Sequence, residues 1–199
     1  MASSPERWLV SGAIAVAVSV GCSQGQGEGA LTGTLTVADC GLSAAPFDLQ
    51  PTFFSGEIVD QLLAIRVQSG SDLEVYSDGL HLLVHDVADV RAMLGVPLAI
   101  GGEGAPVSAT LFLNNTCPPG RRDVPRVLVA TGGSITFDAI YAPAIDEGER
   151  AIRVLAPDSL QLSFAPDPAA DPDLPERSGN LSGWFSFFYQ RGRPSQRYP

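Results

Sequence analysis

From residue 31 onward, short stretches alternate apolar and polar residues, with Gly, Pro, Asp or Ser between them at near-regular intervals. This period of two constrains the fold more than any other feature of the chain. In LTGTLTV at 31–37, Leu31, Gly33, Leu35 and Val37 share one face and the threonines the other, because successive side chains on a strand point to opposite sides. The same reading predicts strands at 47–54 (FDLQPTFF), 62–68 (LLAIRVQ), 73–77 (LEVYS), 80–85 (LHLLVH) and 107–114 (VSATLFLN). Further strands are predicted at 126–130 (RVLVA), 134–142 (SITFDAIYA), 150–156 (RAIRVLA), 160–165 (LQLSFA) and 181–190 (LSGWFSFFYQ). Ser69-Gly70-Ser71-Asp72 and Asp78-Gly79 supply turns between neighbours. Strands of this length bury their apolar faces only by stacking sheets, so the predicted class is all-β. The expectation is one β-sandwich domain over residues 31–199, with a jelly roll among the arrangements it allows.

One short helix interrupts the pattern. Asp86 can cap it, Asp89 stands three residues on, and Val87, Val90 and Leu94 recur at helical spacing. Gly95 suits a left-handed terminus and Pro97 prevents continuation. This predicts a connection across one end of the sandwich. Two stretches read as loops: GGEGAP at 101–106, and APDPAADPDLPERSG at 165–179, whose prolines and acids suit neither ladder nor helix.

Ahead of this domain lies a different kind of segment. Residues 9–20, LVSGAIAVAVSV, form an apolar run behind Arg7, of signal-peptide length and too short to span a bilayer. Residues 1–21 are therefore expected to be a cleavable leader. Cys22 behind small Gly21 resembles a bacterial lipoprotein signal, in which that cysteine is lipidated and becomes the new N-terminus. The pattern departs from that signal at Ser19, where a larger aliphatic is usual, and Ser19-Val20-Gly21 also suits ordinary signal peptidase. Both cuts fall before Cys22. Residues 22–30 then read as a Gly-rich tether.

The chain has three cysteines. With Cys22 carrying lipid, Cys40 and Cys117 remain as a pair, expected to be a disulfide in an oxidising compartment. Two buried thiols are the alternative.

Composition excludes some functions. The net charge of −10, with 22 acidic against 12 basic residues, does not suit a phosphate backbone, so no nucleic-acid partner is expected. All the basic residues are Arg, which with abundant Ala, Gly and Pro fits a GC-rich bacterial genome.

His81 and His85, beside Asp78 and Asp86, lie four apart in a strand. That separates them by about 13 Å, too far for a shared zinc. No Gly-x-Ser-x-Gly elbow is present, and Ser134 after Gly132-Gly133 reads as a strand start. No catalytic residue, metal ligand or cofactor is assigned, and the protein is read as a non-enzyme. Asp167, Asp171, Asp173 and Glu176 could offer oxygens to calcium but lack the order of a calcium loop. In the last strand, Phe185, Phe187 and Tyr189 point one way and Trp184 and Phe188 the other. They are expected to be core on both faces, the alternative being an exposed platform for sugar rings or an apolar partner. Arg191, Arg193 and Arg197 follow, to dock on the protein's own acidic surface or on a phosphate-bearing headgroup.

The strings SDGLHLLVHD, GGSITFDAIY and LSGWFSFFYQRGRPSQRYP resemble uncharacterised lipoproteins of myxobacteria and related GC-rich bacteria. The resemblance implies an envelope location and carries no activity or site residue. The functional expectation is an exported, lipid-anchored envelope protein with a binding or scaffolding role. Its membrane contact is the lipid on Cys22, and Ser23 favours the outer membrane. Its protein or glycan partner is unassigned. A carbohydrate- or surface-binding module is the alternative, and an exported hydrolase a more distant one.

Overall fold

The computed structural model describes residues 27–70, 77–117, 126–141, 151–165 and 176–188. The leader, Cys22, most of the strand expected at 73–77, the acidic residues 166–175 and the arginine-bearing segment 189–199 lie outside them. Twelve strands and one short helix run in the order β1 (Gly27–Val37), β2 (Leu42–Leu49), β3 (Phe53–Val59), β4 (Leu62–Gln68), β5 (Gly79–Val84), α1 (Val87–Ala92), β6 (Leu98–Ala99), β7 (Val107–Leu113), β8 (Arg126–Val129), β9 (Gly132–Ile135), β10 (Ala151–Val154), β11 (Leu160–Phe164) and β12 (Arg177–Phe188). They form two antiparallel sheets, a seven-stranded one ordered β2-β1-β12-β11-β9-β6 with β10 also on β12, and a five-stranded one ordered β3-β4-β5-β7-β8. The fold is an all-β sandwich. Consecutive strands mostly stay in one sheet, whereas a jelly roll passes them back and forth.

Period two explains the core. Leu63, Ile65 and Val67 of β4, Leu80, Leu82 and Val84 of β5, and Val107, Ala109, Leu111 and Leu113 of β7 line one inner face. Leu31, Leu35 and Val37 of β1, with Leu181, Phe185 and Phe187 of β12, line the other. The two faces merge into one buried cluster. Phe54 of β3 stacks on Phe187 with centroids 5.6 Å apart.

Contacts between the sheets run from one edge of the small sheet to the other. The start of β1 lies against Phe54 on one edge strand of the small sheet. Just past its end, Asp39 pairs with Arg126 on the opposite edge strand. Meanwhile Ile100 bridges Val107 and the Ala130 amide bonds Ala109, so the β6–β9 side of the large sheet meets the far ends of β7 and β8.

Several boundaries differ from expectation. Gly27 and Gly29 pair with Phe187 and Phe185, so β1 begins at residue 27, inside the stretch expected to be a tether. FDLQPTFF is two strands in different sheets, since Pro51 between them has no amide to continue a ladder. SITFDAIYA forms strand only to Ile135; beyond it, Ala139 makes a single bridge to Arg153. β12 starts at Arg177, four residues early, shortening the Pro-rich loop. The helix is capped as expected, Asp86 Oδ1 accepting from the amides of Ala88 (3.1 Å) and Asp89 (3.0 Å), and Gly95 adopts φ +75°. Val87 and Val90 are buried, but Leu94 falls past the helix and is exposed.

Candidate functional site

Cys40 follows β1 in a short 3-10 turn, Ala38–Cys40, and Cys117 follows β7; they form a disulfide across Cα atoms 5.0 Å apart. The bond joins the two sheets, and both cysteines are fully buried. Two carboxylates reinforce that end. Asp39 meets Arg126 Nε at 2.6 Å and Arg177 Nη2 at 2.8 Å, tying β8 of one sheet to β12 of the other. Asp78, read from sequence only as half of an Asp-Gly turn, is buried and clamps the loop leading into Cys117. Its Oδ1 accepts from the amides of Asn114 (2.6 Å), Asn115 (2.8 Å) and Thr116 (3.2 Å), and its Oδ2 from Thr116 Oγ1 (2.7 Å). Its partners lie 36 to 38 residues away, so no local signal in the sequence could announce them.

The histidines are not brought together. His81 faces the outer side of the small sheet, in register with Arg66 and Thr110. It is half-buried, its Nε2 has no hydrogen-bond partner among the described residues, and burial first, then the Arg66 charge, lowers its pKa. His85 lies beyond the end of β5 and lines an open cleft of about 580 Å³ between α1 and the 101–106 loop. Asp86, Asp89, Val90, Met93 and Pro106 also line it, and no Ser, Thr or Cys among the described residues does. Among the described residues, no three His, Cys, Asp or Glu side chains converge as metal ligands. Ser134 sits on β9 behind its two glycines, on the large sheet's outer side.

That outer side is the most distinctive surface. Cross-strand register lines up Asp48, Thr32, Ser182, Gln161 and Ser134 in one row, and Thr34, Asn180 and Ser163 in the next. Ser163 Oγ donates to Asn180 Oδ1 at 2.9 Å. Trp184 stands beside these rows, opposite Ala30. Here the expectation of a strand buried on both faces is corrected. Phe185 and Phe187 are in the core, but Trp184 is only half-buried and Phe188 is 64% exposed. Alternation assigned the faces correctly; no layer of the described residues covers the second one. Arg153 Cζ sits 5.8 Å from the centroid of the Phe188 ring. Tyr189 lies outside the described residues. Comparison with protein-family models, with curated proteins and with solved structures gives no match.

Proposed function

We propose that this protein is exported, anchored to the cell envelope by lipid on Cys22, and acts there as a binding or scaffolding domain without catalysis. The observation that carries this reading is the buried Cys40–Cys117 disulfide. Structural disulfides persist in oxidising compartments. The pair leaves Cys22 as the odd cysteine, placed directly behind an apolar leader and five residues before β1. Ser23 after the cysteine favours outer-membrane sorting, and the resemblance to envelope lipoproteins of GC-rich bacteria agrees with it. The cleft at His85 favours binding over covalent catalysis, since Asp86 is committed to the helix cap and no Ser, Thr or Cys among the described residues lines the cavity. Fractionation tests the anchor. The wild type should sediment with membranes and carry a diacylglyceryl mass on its N-terminal peptide, and Cys22→Ala should be soluble. A soluble, unmodified wild type refutes it.

A second reading is favoured by one observation: Trp184 stands at the edge of a solvent-facing array made mainly of hydroxyls and amides. An aromatic face beside Asn180, Ser182 and Gln161 suits a neutral glycan, which stacks on rings and bonds to amides. Loss of polysaccharide retention in Trp184→Ala, with fold intact, supports this module; unchanged retention removes Trp184 from it.

A further inference from the structure

Among the described residues, eight large apolar side chains are exposed, and five of them gather around one turn and one helix end. Val59 and Leu62 stand at the β3–β4 turn, and Met93, Leu94 and Val96 just past α1. The turn abuts the helix, since the Gln61 carbonyl accepts the Val87 amide at 3.0 Å. Register joins these residues to the cleft at His85. Val59 pairs with Leu62 on the outer side of the small sheet, because Leu63 beside it is buried inward. Leu63 pairs with Val84, which sets His85 beside Leu62, and the His85 amide donates to the Pro106 carbonyl at 3.0 Å. Val59, Leu62, His85 and Pro106 thus form one row. Its last two members line the cleft of about 580 Å³, together with Val90 and Met93. An exposed apolar strip that runs into a concave site marks a place of contact.

The charge around the strip has one sign. Asp60 stands at the turn, Asp86 and Asp89 line the cleft beside α1, and Glu103 is exposed in the 101–106 loop. Glu57 lies on the same outer side, two residues before Val59. Two cations are near. Arg91 Nη1 donates to the Ile140 carbonyl at 2.9 Å, and Arg66 lies four residues along β4 from Leu62, roughly 13 Å away.

We propose that this strip and cleft dock an amphipathic cationic segment of another protein, one in which apolar residues are interleaved with Lys or Arg. Its apolar side chains cover Val59, Leu62 and Met93, and its cations meet Asp60, Asp89 and Glu103 at the rim. The exposed acids speed encounter, and the apolar contact holds the partner once it has arrived. Charge decides among occupants. A second copy docked face to face would set these acids against one another, in a chain already at net charge −10, and an anionic membrane would be repelled in the same way. A cationic partner satisfies both the strip and its rim. The proposal rests on the reading of this cleft as a binding site and is independent of the lipid anchor.

The test uses the protein expressed from its full sequence, disulfide intact, and follows the anisotropy of a dye-labelled synthetic amphipathic peptide of leucine and lysine. Binding should weaken with salt and vanish when glutamate replaces lysine in the peptide. Oligolysine, which lacks the apolar side chains, should bind at least about tenfold more weakly. Val59→Ser with Leu62→Ser should weaken the leucine–lysine peptide by about tenfold or more. Asp60→Asn, Asp89→Asn and Glu103→Gln together replace exposed groups, so the fold survives, and should weaken binding several-fold and flatten its salt dependence. Glu28→Gln with Glu176→Gln removes exposed acids of the large sheet and should change binding by less than about twofold. Methyl-labelled methionine locates the contact: the chain has only Met1 and Met93, and the peptide should shift the Met93 resonance. An equal loss from the Glu28 and Glu176 pair, oligolysine bound as tightly as the amphipathic peptide, or an unmoved Met93 methyl overturns the proposal. Attraction to the acidic surface as a whole would give those results. A dimer in sedimentation velocity that Leu62→Ser dissociates also overturns it and gives the strip to a second copy. Docking by a protein with no lipid on Cys22 supports the proposal and refutes only the anchor, whereas a lipidated, membrane-bound protein that ignores the peptide overturns the proposal and leaves the anchor standing.

Discussion

Removing the Asp78 carboxylate should destabilise the protein far more than its place in an Asp-Gly pair suggests. Asp78 is 7% exposed and accepts four hydrogen bonds from Asn114, Asn115 and Thr116, the residues just before Cys117. Asp78→Ala leaves all four donors without their acceptor. A buried donor left unmet costs about 1–3 kcal/mol, and a bond to a charged group contributes about 1.5–3 kcal/mol. Asn114 is the most enclosed of the three residues and bears its loss in full, while Asn115 and Thr116 are partly solvated and recover some of theirs. The sum is about 3–5 kcal/mol, a large share of a stability of about 5–15 kcal/mol. At about 2–4 °C per kcal/mol for a domain of this size, the melting temperature should fall by roughly 6–20 °C. Asp78→Asn is the informative companion: its amide oxygen still accepts the three amides, and the Thr116 hydroxyl can rotate to accept from the new NH₂. It should cost about 1–2 kcal/mol. Urea unfolding of both variants beside wild type, under conditions that keep the disulfide, gives the comparison. A cost below about 1 kcal/mol for Asp78→Ala, or equal costs for the two, would refute the idea that this carboxylate holds the loop.

Replacing Cys40 and Cys117 by Ser should cost about 4–5 kcal/mol, from the entropy of a loop closed across 77 residues; alkylation with and without reductant, read by intact mass, should count both thiols as blocked in the native protein. Along β12, Phe185→Ala should cost about 3–5 kcal/mol, Trp184→Ala roughly half that, and Phe188→Ala under about 0.5 kcal/mol; a thermal-unfolding series that reverses this order contradicts the assignment of an uncovered outer face. His81, whose folded-state pKa lies below its ordinary value of 6.5, favours the neutral imidazole. Its contribution is therefore present above about pH 6.5 and lost as pH falls, because the unfolded chain takes up the proton first. Denaturation midpoints between about pH 5 and 7.5 should decline on acidification in wild type and less in His81→Gln.

The strands were legible wherever one face was buried and the other was not, as at 62–68, where the predicted and observed limits coincide. The start of β12 was illegible. At Gly179 a methyl group would meet backbone of the adjacent β1 at 2.5 Å, so the close approach of β12 to β1 demands a residue that looks like loop. The disulfide could be found by elimination among three cysteines, and Asp86 by its place before a helical period. Asp78 and Asp39 could not, because their partners are set by how the two sheets pack. The exposure of Phe188 was equally hidden: alternation tells which residues share a face, and only tertiary structure tells whether that face is covered.

The pairing of β1 with β12 also sets an order of events. Gly27 meets Phe187 and Val37 meets Arg177, so the longest ladder in the large sheet joins nearly the first and the last residues described. A chain made from its N-terminus can zip β1 to β2 at once, but the other edge of β1 then stays open through the synthesis of some 140 further residues, Val37 to Arg177. Such contacts fold slowly, and an open edge is a template for strands of other molecules. Cys40 and Cys117, in contrast, are both available once residue 117 has emerged, well before β12 exists. Oxidation of that pair can therefore precede closure of the large sheet, confining the half-made sandwich while its first strand waits for its last.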